Sequence, residues 1–157
     1  ERKRLERAVW HYAQSSLAGT MRSRKIRQWL PEAARGCKFD LQELFDELNR
    51  TYFCGKLTSQ VRWGQKGSRT SYQMFRKGTD GKTASFITIA GVYNRPDVPR
   101  FAVEGVLFHE MAHEASPPVL EGSRRSIHGR AFKSIEQSFP SFQQWREWER
   151  TFLVRRR

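Results

Sequence analysis

FAVEGVLFHEMAHEASPPVLEGSRRSIHGRAF, residues 101–132, is the stretch around which the rest of the chain arranges itself. In its first half Val103, Val106, Leu107 and Met111 recur at helical spacing, which predicts a helix. Pro117-Pro118 end it, because proline has no N–H to donate and its ring clashes with the preceding turn. His109, Glu110 and His113 lie on that helix, and His128 follows in the second half. Three of the chain's four histidines therefore fall within one short segment.

Side chains at i and i+4 project from one face of a helix, so His109 and His113 can offer imidazole nitrogens to a single ion. Glu110 is rotated out of that pair yet remains close enough to reach a water beside it, which is the mechanical content of an H-E-x-x-H pattern. A catalytic zinc takes three protein ligands and keeps one position open. The third must come from elsewhere, and His128 is the foremost candidate: Pro117, Pro118 and Gly122 turn the chain back, and Gly129 leaves room for close approach. Phe132 is placed to anchor the helix that follows. Glu114, Glu121 and Glu136 are carboxylate alternatives, each with an ordinary surface role in competition. An accidental pairing of histidines is the plainer account, but this helix is otherwise apolar, and unpaired polar groups on a buried element are costly. The residues point to one Zn2+ ion, with Glu110 as the general base that passes a proton from water to a leaving amine. Arg124, Arg125 and Arg130 are the positional candidates for an oxyanion stabiliser.

Upstream, FDLQELFDELNRTYF places Leu41, Leu44, Phe45 and Leu48 on one helical face, with Asp40 as N-cap and Glu43 completing a capping-box-like pair. LTSQVRWG, TSYQMFRKG and ASFITIAGVY are short, β-branched or aromatic, and divided by glycine-containing turns, which predicts three antiparallel strands. ERKRLERAVWHYAQSSLAG and SRKIRQWLPEAARG read as N-terminal helices, the second re-started at Pro31. HGRAFKSIEQSF and SFQQWREWERTFLV read as the last two, with Phe142, Trp145 and Phe152 facing inward. Helices, then strands, then helices describe an α+β domain: a small three-stranded antiparallel sheet packed by helices.

The 157 residues suit a single domain, and no run approaches the roughly 18 apolar residues of a membrane helix. Cys37 and Cys54 form no CxxC pair, which argues against a zinc ribbon and a disulfide scaffold; both read as reduced, partly buried thiols. The net charge of +13 is uneven. Residues 1–38 carry ten Lys/Arg against three acids, 124–157 carry nine against three, and 39–123 balance ten against ten. Two basic ends around a neutral centre suit a polyanion partner, most plainly nucleic acid. Arg22, Arg24, Lys25, Arg27, Arg124 and Arg125 are the candidate phosphate contacts. Trp10 and Trp29, which lie among these basic residues, read as packing anchors ahead of base-stacking platforms.

LQELFDELNRTYFCGKL, VRWG, SFITIA, VEGVLFHEMAHE and HGRAF, taken in that order over residues 39–140, resemble the SprT-like zinc metalloprotease family (the Spartan-like protease domains). The resemblance implies a zincin-like fold whose active-site helix carries HExxH, zinc ligands His109, His113 and His128, and a catalytic Glu110. It also implies that Ser85–Ala90 is an edge strand bordering the cleft, where an extended peptide adds to the sheet. It further implies an endopeptidase acting on proteins bound or crosslinked to DNA. On this reading residues 1–38 are a basic helical extension, 39–140 the protease core, and 141–157 a C-terminal helix and basic tail. The chain departs from many members in lacking the paired cysteines of a zinc ribbon. A cytoplasmic, nucleoid or nuclear location is expected rather than secretion.

Overall fold

The computed structural model describes residues 29–121 and 124–154, the side chains of 119–125 and 153–154 excepted. The helix predicted over residues 1–19, together with Arg22, Arg24, Lys25, Arg27 and the terminal arginines, lies outside the described residues. Pro31–Ala34 is a short 3-10 turn with proline at its first positions, where a missing N–H costs nothing. Helix α1, Leu41–Tyr52, starts where Asp40 accepts from the backbone N–H of Gln42 at 2.8 Å and of Glu43 at 3.4 Å. It buries Leu41, Leu44, Phe45 and Leu48, the face its spacing predicts. After it the chain reverses through Cys54 and Gly55, both at positive φ. The Asn49 side chain spans the reversal, donating to the Leu57 carbonyl at 2.9 Å and accepting the Leu57 N–H at 3.1 Å.

Strands β1 (Gln60–Trp63), β2 (Tyr72–Lys77) and β3 (Thr83–Ile89) form one sheet in the order β1-β3-β2. The sheet is mixed, which corrects the all-antiparallel expectation: β2 pairs antiparallel with β3, but β1 runs parallel to it. Successive strands do alternate in direction, as the short turns require. However, β3 inserts between its two predecessors and so meets β1 in parallel. Residues 64–71 pass around the C-terminal end of β3, where Gly64 N–H donates to the Ile89 carbonyl and Val92 N–H to that of Ser68. A Cβ on Gly91 would lie 2.0 Å from the Gln65 carbonyl oxygen, so glycine is needed at this crossing. The same order makes β3 the central strand. Ser85–Ala90 is thus not an edge strand, since β1 pairs Phe86–Ile89 on one side and β2 pairs Thr83–Thr88 on the other; among the described residues β1 and β2 are the edges.

Helix α2, Arg100–Ala115, crosses the sheet and buries Val103, Val106, Leu107 and Met111 against Val61, Ile87 and Ile89. Complete burial of each such side chain stabilises by about 1.5–3 kcal/mol. It ends at Ser116, ahead of the two prolines. The segment predicted as a plain connection instead forms a two-stranded hairpin, β4 (Val119–Glu121) with β5 (Arg124–Ser126). Helices α3 (Arg130–Gln137) and α4 (Phe142–Val154) then pack on α2. Trp145 is 2% exposed, with Phe142 and Phe152 partly buried beside the core, as predicted. On the opposite face of the sheet Trp29 packs on Phe86 at 4.9 Å and under the Arg62 guanidinium at 4.2 Å, which is the anchoring role expected of it. Cys37 and Cys54 are free and exposed, not partly buried, because one lies in the loop before α1 and the other in the reversal after it. Among the described residues no helix is long and apolar enough to cross a membrane.

Candidate metal centre

His109 and His113 occupy successive turns of α2, and the chain leaving the β4–β5 hairpin brings His128 to them. His113 Nε2 lies 3.3 Å from His109 Nε2 and 3.3 Å from His128 Nε2. The three candidate ligand atoms all fall within 4.8 Å of one another. Phe132, 2% exposed on α3, is the floor beneath them, with ring centroids 5.1, 4.5 and 4.6 Å from those of His109, His113 and His128. One aromatic ring thereby sets the separation of three imidazoles.

These nitrogens fit zinc. Zn–N bonds of about 2.0–2.1 Å at tetrahedral angles put neighbouring ligand atoms about 3.3–3.4 Å apart. Hydrogen bonding alone accounts poorly for the arrangement, since one proton on His113 Nε2 can serve only one of its two neighbours, whereas a cation serves all three lone pairs. Burial first, and then its imidazole neighbours, push the His113 pKa down to about 4; burial likewise lowers that of His128. Both rings are neutral near pH 7, the form that ligates a metal. His109 Nδ1 lies 2.6 Å from Glu136 Oε1 and donates to it, which leaves the His109 Nε2 lone pair facing the cluster.

Glu110 is 5% exposed, and burial raises its carboxyl pKa to about 7 against the opposing pull of His109 and of a hydrogen bond from the Gln73 backbone. That contact sets the carboxyl beside edge strand β2. Two of the three alternative ligands are otherwise engaged. Glu114 accepts from the Thr58 N–H at 2.9 Å and the Ser59 hydroxyl at 2.6 Å, and burial raises its pKa in spite of those bonds. Glu136 holds His109, and the Glu121 side chain lies outside the described ones.

The SprT-like family profile matches residues 41–150, from the first residue of α1 into α4. The chain belongs to the SprT-like family. Among curated proteins no sequence match is found. The SprT-like family is generally associated with zinc metallopeptidase activity and is typically zinc-dependent.

Within this SprT-like domain the structure brings together His109, His113 and His128, with Glu110 on the same helix as the first two. Arg130 is exposed at the start of α3, and Arg124 and Arg125 form the backbone of β5, their side chains outside the described set. Sequence reasoning named Glu136 only as an alternative ligand and passed over three further supports of the site, Gly105, Gln73 and Ser59. Glu136 stands four residues after Phe132, hence on the same helical face, a spacing that could have disclosed it. Gly105, an isolated glycine in an apolar helix, marks a close packing contact with Trp145. No local signal announces Gln73 and Ser59, whose roles depend on which strands become neighbours.

Proposed function

We propose that this SprT-like chain is a zinc-dependent endopeptidase that cleaves proteins bound or crosslinked to DNA. The observation that carries the reading is the convergence of three imidazole nitrogens, His113 Nε2 lying 3.3 Å from each of the other two, next to a buried carboxyl. Three ligands leave one position open, which distinguishes a catalytic site from a four-ligand structural one. His109, His113 and His128 would hold the ion through Nε2. When bound, zinc supplies Lewis acidity, which acidifies a water and polarises a carbonyl.

The chain's own groups do the rest. The Glu110 carboxylate accepts a proton from the attacking water and returns it to the leaving amine nitrogen. A carboxyl pKa raised to about 7 suits both directions of that transfer near neutrality. Glu136 keeps His109 in one tautomer, and Phe132 excludes water from below the imidazoles. Among the described residues β2 is an edge strand, and it offers backbone groups to an extended peptide beside Glu110, a mode of binding tolerant of side-chain sequence. The DNA-directed part is supported by the +13 charge and its concentration outside residues 39–123.

Cleavage of a DNA-bound protein, measured with and without single-stranded DNA for wild type and Glu110→Gln, tests both parts. Loss of at least about a hundredfold in Glu110→Gln is expected for a removed general base. Equal activity in the two proteins would sink the catalytic assignment. Cleavage indifferent to DNA would leave a general zinc protease.

A further inference from the structure

Helix α2 carries a second carboxyl one turn beyond Glu110, and the chemistry above makes no use of it. Glu114 Oε1 accepts from Thr58 N–H at 2.9 Å, and Oε2 accepts from the Ser59 hydroxyl at 2.6 Å. Ser59 Oγ is 2.5 Å from Ser85 Oγ, which accepts from Gln73 Nε2 at 2.9 Å. Ser59 and Ser85 are 4% and 3% exposed, so water does not substitute for these partners. The direction of the chain is forced. The carboxylate can only accept, which commits the Ser59 proton to Glu114 and the Ser85 proton to Ser59; Ser85 then has only acceptor capacity left for the Gln73 NH2. The path runs from α2 to the residue before β1, through β3, to β2. There the Gln73 backbone bonds Glu110 and closes the circuit on α2.

We propose that Glu114 is a positioning residue: through Ser59, Ser85 and Gln73 it holds edge strand β2 at a fixed distance from Glu110. A peptide laid along β2 then arrives with its carbonyl in reach of that carboxyl. This role rests on the peptidase reading, since it concerns where a substrate strand sits. A tie that served stability alone would need only the Thr58 and Ser59 bonds to the helix end, without continuation into the edge strand.

Glu114→Gln keeps the side chain's shape but turns one oxygen into a donor. Its remaining oxygen can hold Thr58 N–H, while its NH2 faces Ser59 and can only donate, so one hydroxyl proton of the buried Ser59–Ser85 pair loses its acceptor. Ser85→Ala cuts the chain at its middle and gives a second route to the same result. Both variants are compared with wild type as zinc-loaded protein, by backbone hydrogen exchange, by zinc stoichiometry and by steady-state cleavage of a peptide. The expected result is exchange at Gln73 faster by about tenfold, with α2 protection and zinc content unchanged. Turnover should fall about tenfold with KM within about twofold, the mark of a bound substrate that is misplaced. Unchanged exchange at Gln73 in both variants would overturn the proposal, as would equal acceleration in α2 and β2. Absence of cleavage by the wild type would remove the peptidase reading instead, and the exchange pattern would still decide whether Glu114 holds β2.

Discussion

His109 can face the cluster with an Nε2 lone pair only while its proton sits on Nδ1, and Glu136 at 2.6 Å is what keeps it there. Replacing Glu136 by Ala leaves that proton without an acceptor and frees the ring to turn. Zinc affinity, measured by competition with a chromophoric chelator, is expected to fall about 10–100-fold in Glu136→Ala and less in Glu136→Gln, whose carbonyl oxygen still accepts. An unchanged dissociation constant would show that packing on Phe132 alone orients the ring. At this scale the sequence discloses what the helix repeat dictates: His109 and His113 share a face because four residues make one turn. Three carboxylates were open as third ligands because nothing local said that Glu114 would be consumed by Thr58 and Ser59, or Glu136 by His109. Those engagements depend on which elements pack together.

Elements bounded by strong local chemistry are legible in the sequence: α1 by Asp40, α2 by its apolar repeat and the two prolines, β2 and β3 by the glycine turn between them. Strand order is not, because alternation of direction is a local property and adjacency is set by the sheet closing on α2. The crossing that inserts β3 between β1 and β2 depends on Gly91, and the seating of α4 depends on Gly105. A Cβ on Gly105 would lie 2.2–2.7 Å from Trp145 ring atoms. Alanine gains about 1 kcal/mol of helix propensity over glycine, but overpacking a buried ring costs about 3 kcal/mol at this severity. Gly105→Ala is therefore expected to lose about 2 kcal/mol and to lower Tm by about 4–8 °C in thermal unfolding. A rise in Tm would show that α4 yields freely. Because Trp145 stands 6.0 Å from His109, displacement of α4 also reaches the histidine cluster.

For the whole molecule the governing feature is charge. Residues 39–123, which supply His109, Glu110 and His113, balance their charges. The excess lies on either side, in 124–157 beside His128 and in 1–38 apart from every residue of the site, so charge in 1–38 can be varied separately from the site. Counterion release gives that separation a measurable form: log affinity for single strands falls with log salt at about −0.7 per phosphate neutralised. Neutral substitution of Arg22, Arg24 and Lys25 together should flatten the slope for single-stranded DNA by about 2 if each meets one phosphate. Cleavage of a free peptide should be unchanged in the same variant, because none of the three belongs to the histidine cluster or to β2. An unchanged slope would move the phosphate contacts to the C-terminal basic segment, where Arg124 and Arg125 stand between His113 and His128 in sequence. A wild-type slope near zero would remove DNA from the account, and the domain would then act on proteins wherever it met an extended segment able to pair with β2.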